Sequence, residues 1–320
     1  MNANLVLGTT QGCVLVTRTG GEWRVAGHGL SGQTITAVAA GPDLVWAGTR
    51  DGIYRSADGS QTWQDASSGL TVRHVRWMTG TPWGIWAGTE PAAIYGWQQG
   101  TGWQERPEVA QLRDRHGWWL PYSPEDGCVR GFAHHPTGRA YAAAEVGGVL
   151  RSDDGGRTWD LAPGSGPDPH NFHPPPSIVH PDVHSIAVHP SSEDVVTAPT
   201  GGGLYRSNDG GFTWTLLYPC YCRAAWVDPE DPNQIVFGPA DGVSRGGRIE
   251  RSRDGGQTWQ PASGALEVPW PRHMVERFLQ VGEALLAVLS NGELLAAPPD
   301  TLDWQPFLPQ VTGVRCAAHL

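Results

Sequence analysis

The 320-residue sequence is short of charge: Asp, Glu, Lys and Arg make up only 17% of it. It has 3 Met and 5 Cys. No run of about 18 apolar residues occurs, so no segment reads as a membrane-spanning helix. No basic stripe is visible and the net charge is -10, which argues against a nucleic-acid binder. The opening stretch MNANLVLGTTQGCVLV lacks a basic region and already alternates like a strand, so no signal peptide is expected. The cysteines (Cys13, Cys128, Cys220, Cys222 and Cys316) are odd in number, which favours reduced thiols and a cytoplasmic setting. What the chain has in abundance is 43 Gly, 27 Pro and 16 Trp. Such a composition suits many short strands joined by tight turns.

Four segments nearly superimpose: YRSADGSQTW (54–63), LRSDDGGRTW (150–159), YRSNDGGFTW (205–214) and IERSRDGGQTW (249–259). Each carries Ser-x-Asp-x-Gly-x-Thr-Trp, with Ser60 replacing the Gly in the first. Weaker copies end at Trp23, Trp103 and Trp304. The register tryptophans are then Trp23, Trp63, Trp103, Trp159, Trp214, Trp259 and Trp304, spaced 40, 40, 56, 55, 45 and 45 residues apart. That period fits a four-stranded propeller blade, and the two long gaps mark insertions.

Each repeat parses into an inner strand A such as VRGFA (129–133), VHSIA (183–187) or CRAAW (222–226). A small, apolar strand B follows, as in LVWAG, GIWAG and AYAAA, then strand C (GIYRS, GVLRS, GLYRS) and a strand D that begins at the Thr-Trp. The sequence starts at a B strand, NLVLG (4–8), and ends with a spare A strand, VRCAA (314–318). The expected fold is all-β: one seven-bladed β-propeller over residues 1–320, its ring closed by pairing the C-terminal strand with the N-terminal blade.

The repeated motif resembles the Asp box (BNR repeat) of sialidases, sortilin-type receptors and photosystem II assembly propellers, within the wider group of WD40/YVTN/BNR-like repeat proteins. The resemblance implies that these turns lie on the face opposite the active site. Asp58, Asp154, Asp209 and Asp254 are accordingly read as structural, as are Trp63, Trp159, Trp214 and Trp259. The Ser and Asp side chains bond backbone amides within the turn, and the Trp wedges between sheets. Sialidases also use an arginine triad for a carboxylate, a Tyr–Glu pair and an Asp acid/base. Their early Phe/Tyr-Arg-Ile-Pro motif is absent here, and no Tyr–Glu pair is apparent.

The mouth of the channel, formed by D–A and B–C connections, is the expected ligand face. The second positions of the A strands are Thr36, Arg76, Arg130, His184, Arg223, Glu276 and Arg315. Arginine suits planar, bidentate recognition of carboxylate or phosphate. The competing reading pairs these arginines with Asp51, Glu90, Glu145 or Asp241 from neighbouring B–C loops. A one-residue slip would turn the side chains to the other face, a risk greatest at Glu276, where Arg277 is adjacent. Insertions at about 104–127 and 160–182 are D–A connections expected over the same mouth. In the first, Trp118, Trp119 and Tyr122 wall an apolar pocket or pack as a small lid. In the second, His170, His173, His180 and His184 offer imidazoles to a transition metal, or are polar loop residues. His184, fixed by strand A, is the candidate general base or electrostatic partner. His135-Pro136, His189-Pro190 and Asp228-Pro229 share an A–B turn role, and Cys220 and Cys222 read as a thiol ligand pair or as buried free cysteines.

Three functions compete. The first is a cytoplasmic, monomeric module that binds a small anionic ligand or an acidic protein segment at the Arg/His-lined mouth. The second is an enzyme using that pocket, either a sialidase-like glycoside hydrolase or a His/metal-assisted hydrolase or lyase. The third is a protein-interaction or assembly scaffold.

Overall fold

The computed structural model describes residues 4–41, 43–119, 127–166 and 168–320. It contains seven antiparallel sheets of four strands, arranged in a ring. Blade 1 takes strand A from the C-terminus (Val314–His319) and strands B to D from the N-terminus (Asn4–Thr9, Gly12–Thr19, Glu22–Gly29). Its closing ladder pairs Leu5 with His319, Leu7 with Ala317 and Thr9 with Val314. The inner strands of blades 2 to 7 are Ala37–Ala40, Val75–Thr81, Val129–His134, Ala187–His189, Tyr221–Val227 and Val275–Val281. Each contacts its neighbour around the ring.

The small B strands have a steric cause. A Cβ on Gly48 would stand 2.5 Å from the Val75 side chain of the next blade, and one on Gly238 would stand 2.5 Å from Val275. Glycine there lets the first valine of the following inner strand seat directly on backbone. Those valines are wholly buried and knit one blade to the next.

The Ser-x-Asp-x-Gly turns occupy the C–D connections, at the end of strand C away from the mouth. In the blade 4 turn Ser152 Oγ donates to Asp154 Oδ1 (2.8 Å) and accepts from Gly156 N–H (3.0 Å), while Asp154 accepts from Thr158 N–H (3.0 Å). Equivalent bonds recur about Asp58, Asp209 and Asp254. The four carboxylates are thus saturated by their own turns. Trp63, Trp159 and Trp259 each donate Nε1–H to a carbonyl of the same turn; Trp214 has no such bond, although it is as deep as Trp159. Strand D begins just after the Trp, at Gln64, Asp160, Thr215, Gln260 and Gln305, rather than at Thr-Trp.

Two differences from the sequence reading concern the insertions. Residues Pro107–His116 form the helix α1, with Pro107 in its first turn and Gly117 closing it at φ 67. Val109 and Leu112, one turn apart, anchor it beside Trp118 against blade 4. In blade 5 the inner strand is only Ala187–His189, because Val183 makes an isolated bridge to Thr200, His184 N–H bonds the Pro199 carbonyl (2.9 Å) and regular pairing resumes only at Ala187.

The equivalent A–B turns clasp one another. His135 Nε2 lies 3.1 Å from the Pro190 carbonyl and His189 Nε2 lies 2.9 Å from that of Asp228, each in the next blade. A carbonyl only accepts, so each Nε2 carries the proton and Nδ1 is left to accept from Ser191 N–H in the second case. His189 is almost fully buried. His189→Ala is expected to cost about 1–3 kcal/mol through the unpaired carbonyl and amide, read as a lowered urea midpoint with an unchanged slope.

Candidate functional site at the channel mouth

A β-bulge recurs near the start of five inner strands. The register slips by one residue across Val75/Trp77, Val129/Gly131 and Val275/Arg277, leaving Arg76, Arg130 and Glu276 as the extra residues. The same slip isolates Arg315 in the closing strand, and in blade 6 it spans Cys222/Ala225 around Arg223. The extra residue is released from the ladder, so its side chain can turn to the axis.

All five of these side chains line one cavity of about 540 Å³. Thr36, Trp77, Glu145, Asp182, Tyr221 and Arg277 line it as well. The bulge also resolves the ambiguity at Glu276 and Arg277: both face the cavity, as Arg76 and Trp77 both do. The sequence reading named Arg277 only as the neighbour of Glu276, and did not name the lining residues Trp77, Asp182 and Tyr221. Arg277 reaches from blade 7 across the axis, with Cζ 3.8 Å from the centre of the Trp77 ring in blade 3 and Nη2 3.4 Å from the Thr36 carbonyl in blade 2.

Both sequence readings of the arginines are realised in part. Arg76 pairs with Glu90 at 3.1 Å and Arg130 with Glu145 at 3.2 Å, the loop acids foreseen as internal partners. Asp51 and Asp241 do not pair with ring arginines; Asp241 lies 3.5 Å from Arg248. Arg223 bonds Glu276 at 2.6 Å, and Arg130 also approaches Glu276 at 3.9 Å. Among the described residues Arg277 and Arg315 have no carboxylate within 4.0 Å. The two guanidiniums without a carboxylate come from blades 7 and 1, and the lining carboxylates from blade 4 (Glu145), the connection into blade 5 (Asp182) and blade 7 (Glu276).

The ionisation states follow from this packing. Burial alone would raise the Glu145 carboxyl, but Arg130 and then His184 hold it well below the usual range. Burial opposes the Arg130 charge, and Glu145 more than offsets that, so the guanidinium is held more firmly than usual. Burial pulls Arg277 down to about 10, and the nearby Arg130 and Arg76 add to the pull. Tyr221 is pushed up to about 12, chiefly by burial, even though it accepts a 2.9 Å bond from Arg223 Nε. Its phenol stays protonated near neutrality.

His184 stands behind this wall with no exposed side-chain surface. Its Nδ1 faces the Cys222 carbonyl at 2.8 Å, which fixes the proton there in the neutral ring. Nε2 then points at Asp182 Oδ1 (3.1 Å), the Tyr221 hydroxyl (3.5 Å) and Glu145 Oε1 (3.9 Å). Donor atoms of Glu145, Asp182 and His184 lie within 4.8 Å of one another. The four histidines proposed from sequence do not assemble. His170 and His173 are exposed, and His170 lies against Trp119. His180 is buried, accepts from Asp182 N–H at 3.2 Å and is pulled down to about 4 by burial. Trp118 is buried beside α1 and Trp119 is exposed; neither lines the cavity, and Tyr122 lies outside the described residues.

No family model matches the sequence, and no curated protein matches it. Solved structures do. YCF48 from Cyanidioschyzon merolae superimposes with a TM-score of 0.60 at 15% identity, over 93% of this chain and 96% of that one. A structure of YCF48 bound to D1 peptide gives 0.58 at 18% identity, over 89% and 85%. An ancestral GH74 enzyme gives 0.60 at 15% identity, over 90% of this chain but only 38% of its own length. At such identities the likeness is one of fold: the propeller architecture is shared by a protein solved with a bound peptide and by a GH74 enzyme. No helix among the described residues is long and apolar enough to cross a membrane.

Proposed function

We propose that the chain is a binding module whose channel mouth takes a small anionic ligand or an acidic segment of a partner protein. The observation that carries this reading is the pair Arg277 and Arg315, which line the cavity without a carboxylate within 4.0 Å among the described residues. Five arginines line the cavity against Glu145, Asp182 and Glu276, in a chain whose net charge is -10. Arg277 is half-buried among other cations, and an anion placed beside it supplies the charge its surroundings lack. The Trp77 face under the guanidinium pre-orients it, so little side-chain freedom is lost on binding. The five unpaired thiols support a reducing, cytoplasmic setting. The structure of YCF48 with a bound peptide supports a protein segment as one form of the occupant. The repeated Ser-x-Asp turns support kinship with Asp-box propellers, with the two insertions as embellishments of one propeller.

Calorimetric titration tests this with phosphate, with succinate and with a tetra-aspartate peptide. At least one is expected to bind saturably, more weakly as salt rises. Arg277→Ala with Arg315→Ala is expected to lower that affinity about 10- to 100-fold, the range of one or two charge-assisted bonds. Arg24→Ala, whose ion pair with Glu22 lies on the surface, is expected to leave it unchanged. Absence of saturable binding, or equal affinity in the double variant, overturns the reading.

A second reading, hydrolysis, is favoured by the three carboxylates and the Tyr221 hydroxyl on the cavity wall. Turnover of a fluorogenic glycoside that is lost in Glu276→Gln would establish it in place of simple binding.

A further inference from the structure

The arginines leave one part of the mouth unexplained. Asp182 lines the cavity, yet among the described residues no guanidinium or ammonium lies within 4.0 Å of it. Its Oδ1 is completely buried and makes no hydrogen bond, although His184 Nε2 is 3.1 Å away. A buried carboxylate oxygen without a donor is costly, and native sites rarely keep one.

Two species can occupy the space between these atoms: a proton on Nε2, or a metal ion. A proton points along one direction. With Nδ1 donating to the Cys222 carbonyl, Nε2 of the neutral ring is itself an acceptor, toward the Tyr221 hydroxyl at 3.5 Å as well, so Nε2 and Oδ1 face each other as two lone pairs 3.1 Å apart. A cation serves several donors at once. Nε2 and Asp182 Oδ1, from the connection into blade 5, converge with Glu145 Oε1, from the B–C turn of blade 4, as a set of one imidazole and two carboxylates.

The flanking bonds are those of a metal site. The His184 ring is locked through Nδ1 to the Cys222 carbonyl, which leaves Nε2 basic and fixed in direction. Glu145 presents Oε1 to the cluster, while its other oxygen accepts from Arg130 at 3.2 Å and from Cys128 Sγ at 3.0 Å. Hydrogen bonds on the outer oxygen are what orient a ligating carboxylate. We infer that Glu145, Asp182 and His184 bind one divalent transition-metal ion at the wall of the channel mouth. Nitrogen in the set selects Zn²⁺ or a similar ion over Mg²⁺ and Ca²⁺, which favour oxygen alone. The ligands differ from the anion-binding arginines, so this site stands or falls separately from the anion reading.

The test is calorimetric titration of chelator-treated protein with ZnCl₂ alone, with MgCl₂ as the comparison ion. One Zn²⁺ per chain is expected, bound at least 100-fold more tightly than Mg²⁺. His184→Ala and Asp182→Asn are each expected to weaken Zn²⁺ at least tenfold, whereas His173→Ala leaves it unchanged. If His184→Ala fails to fold, Asp182→Asn and the absorption spectrum of the Co²⁺-loaded wild type carry the decision, the latter showing nitrogen and oxygen ligation. No saturable Zn²⁺ site, equal affinity for Mg²⁺, or a loss confined to His173→Ala overturns the inference.

Discussion

Deletion of residues 314–320 is expected to abolish cooperative folding. The segment supplies the inner strand of blade 1, and Val314 and Cys316 within it are buried. Leu320 N–H also bonds the Asn4 carbonyl at 2.9 Å. Without it, Asn4–Thr9 becomes an exposed edge, although residues 5–9 of that strand are wholly enclosed in the intact ring. Each lost buried aliphatic contact is worth about 1.5–3 kcal/mol, and several are lost together with a ladder. The sum is comparable with the roughly 5–15 kcal/mol by which a domain is stable at all. Circular dichroism and size-exclusion chromatography should show a broad or absent melt and soluble aggregates. A truncated chain that melts sharply within a few degrees of the full one would refute closure as the source of stability.

Arg130→Ala has the next largest expected effect, about 3–5 kcal/mol, the usual cost of stranding a buried charge. Glu145 is 3% exposed at its side chain and would lose the guanidinium 3.2 Å away. The pH dependence identifies the cause. In the wild type the Glu145 carboxyl titrates below its ordinary 4.5, so its contribution to stability is present above that pH and fades as pH falls through the folded value. In the variant the main group that holds it down is gone, its pKa rises, and acidification neutralises the stranded charge. The gap between wild type and variant should therefore be widest near pH 7 and narrow toward pH 4.5 in urea unfolding. A gap that does not change with pH would point to lost packing instead.

Much of the fold was legible in the sequence because its signals are local. A Ser-x-Asp-x-Gly-x-Thr-Trp turn closes its own hydrogen bonds, so the motif reports its structure wherever it occurs. The second A-strand positions were legible for the same reason, by alignment on the repeat. The bulges were not, since a register slip depends on the partner strand. A simple alternation therefore could not show that Glu276 and Arg277 share one side. A hint was present in Arg76-Trp77 and Glu276-Arg277, successive large polar or aromatic residues just after the buried valine. The helix α1 was also signalled, by Pro107 followed by Glu108 and closed by Gly117. The histidine spacing carried no geometry, because the segment around His170 and His173 has no regular period. Only tertiary structure brought His184 to Glu145, 39 residues earlier in the chain.

The repeated bulge has a consequence for how such a mouth changes over time. The extra residue belongs to no ladder pair, so the sheet does not depend on its identity. Blade 7 carries Glu276 where blades 3 and 4 carry Arg76 and Arg130, with pairing resuming on either side in all three. Sign and size of charge at the rim can thus be rewritten one blade at a time while the toroid stays standing. Libraries that randomise these codons together with those of their carboxylate partners, such as Arg130 with Glu145, should yield folded proteins with re-tuned selectivity.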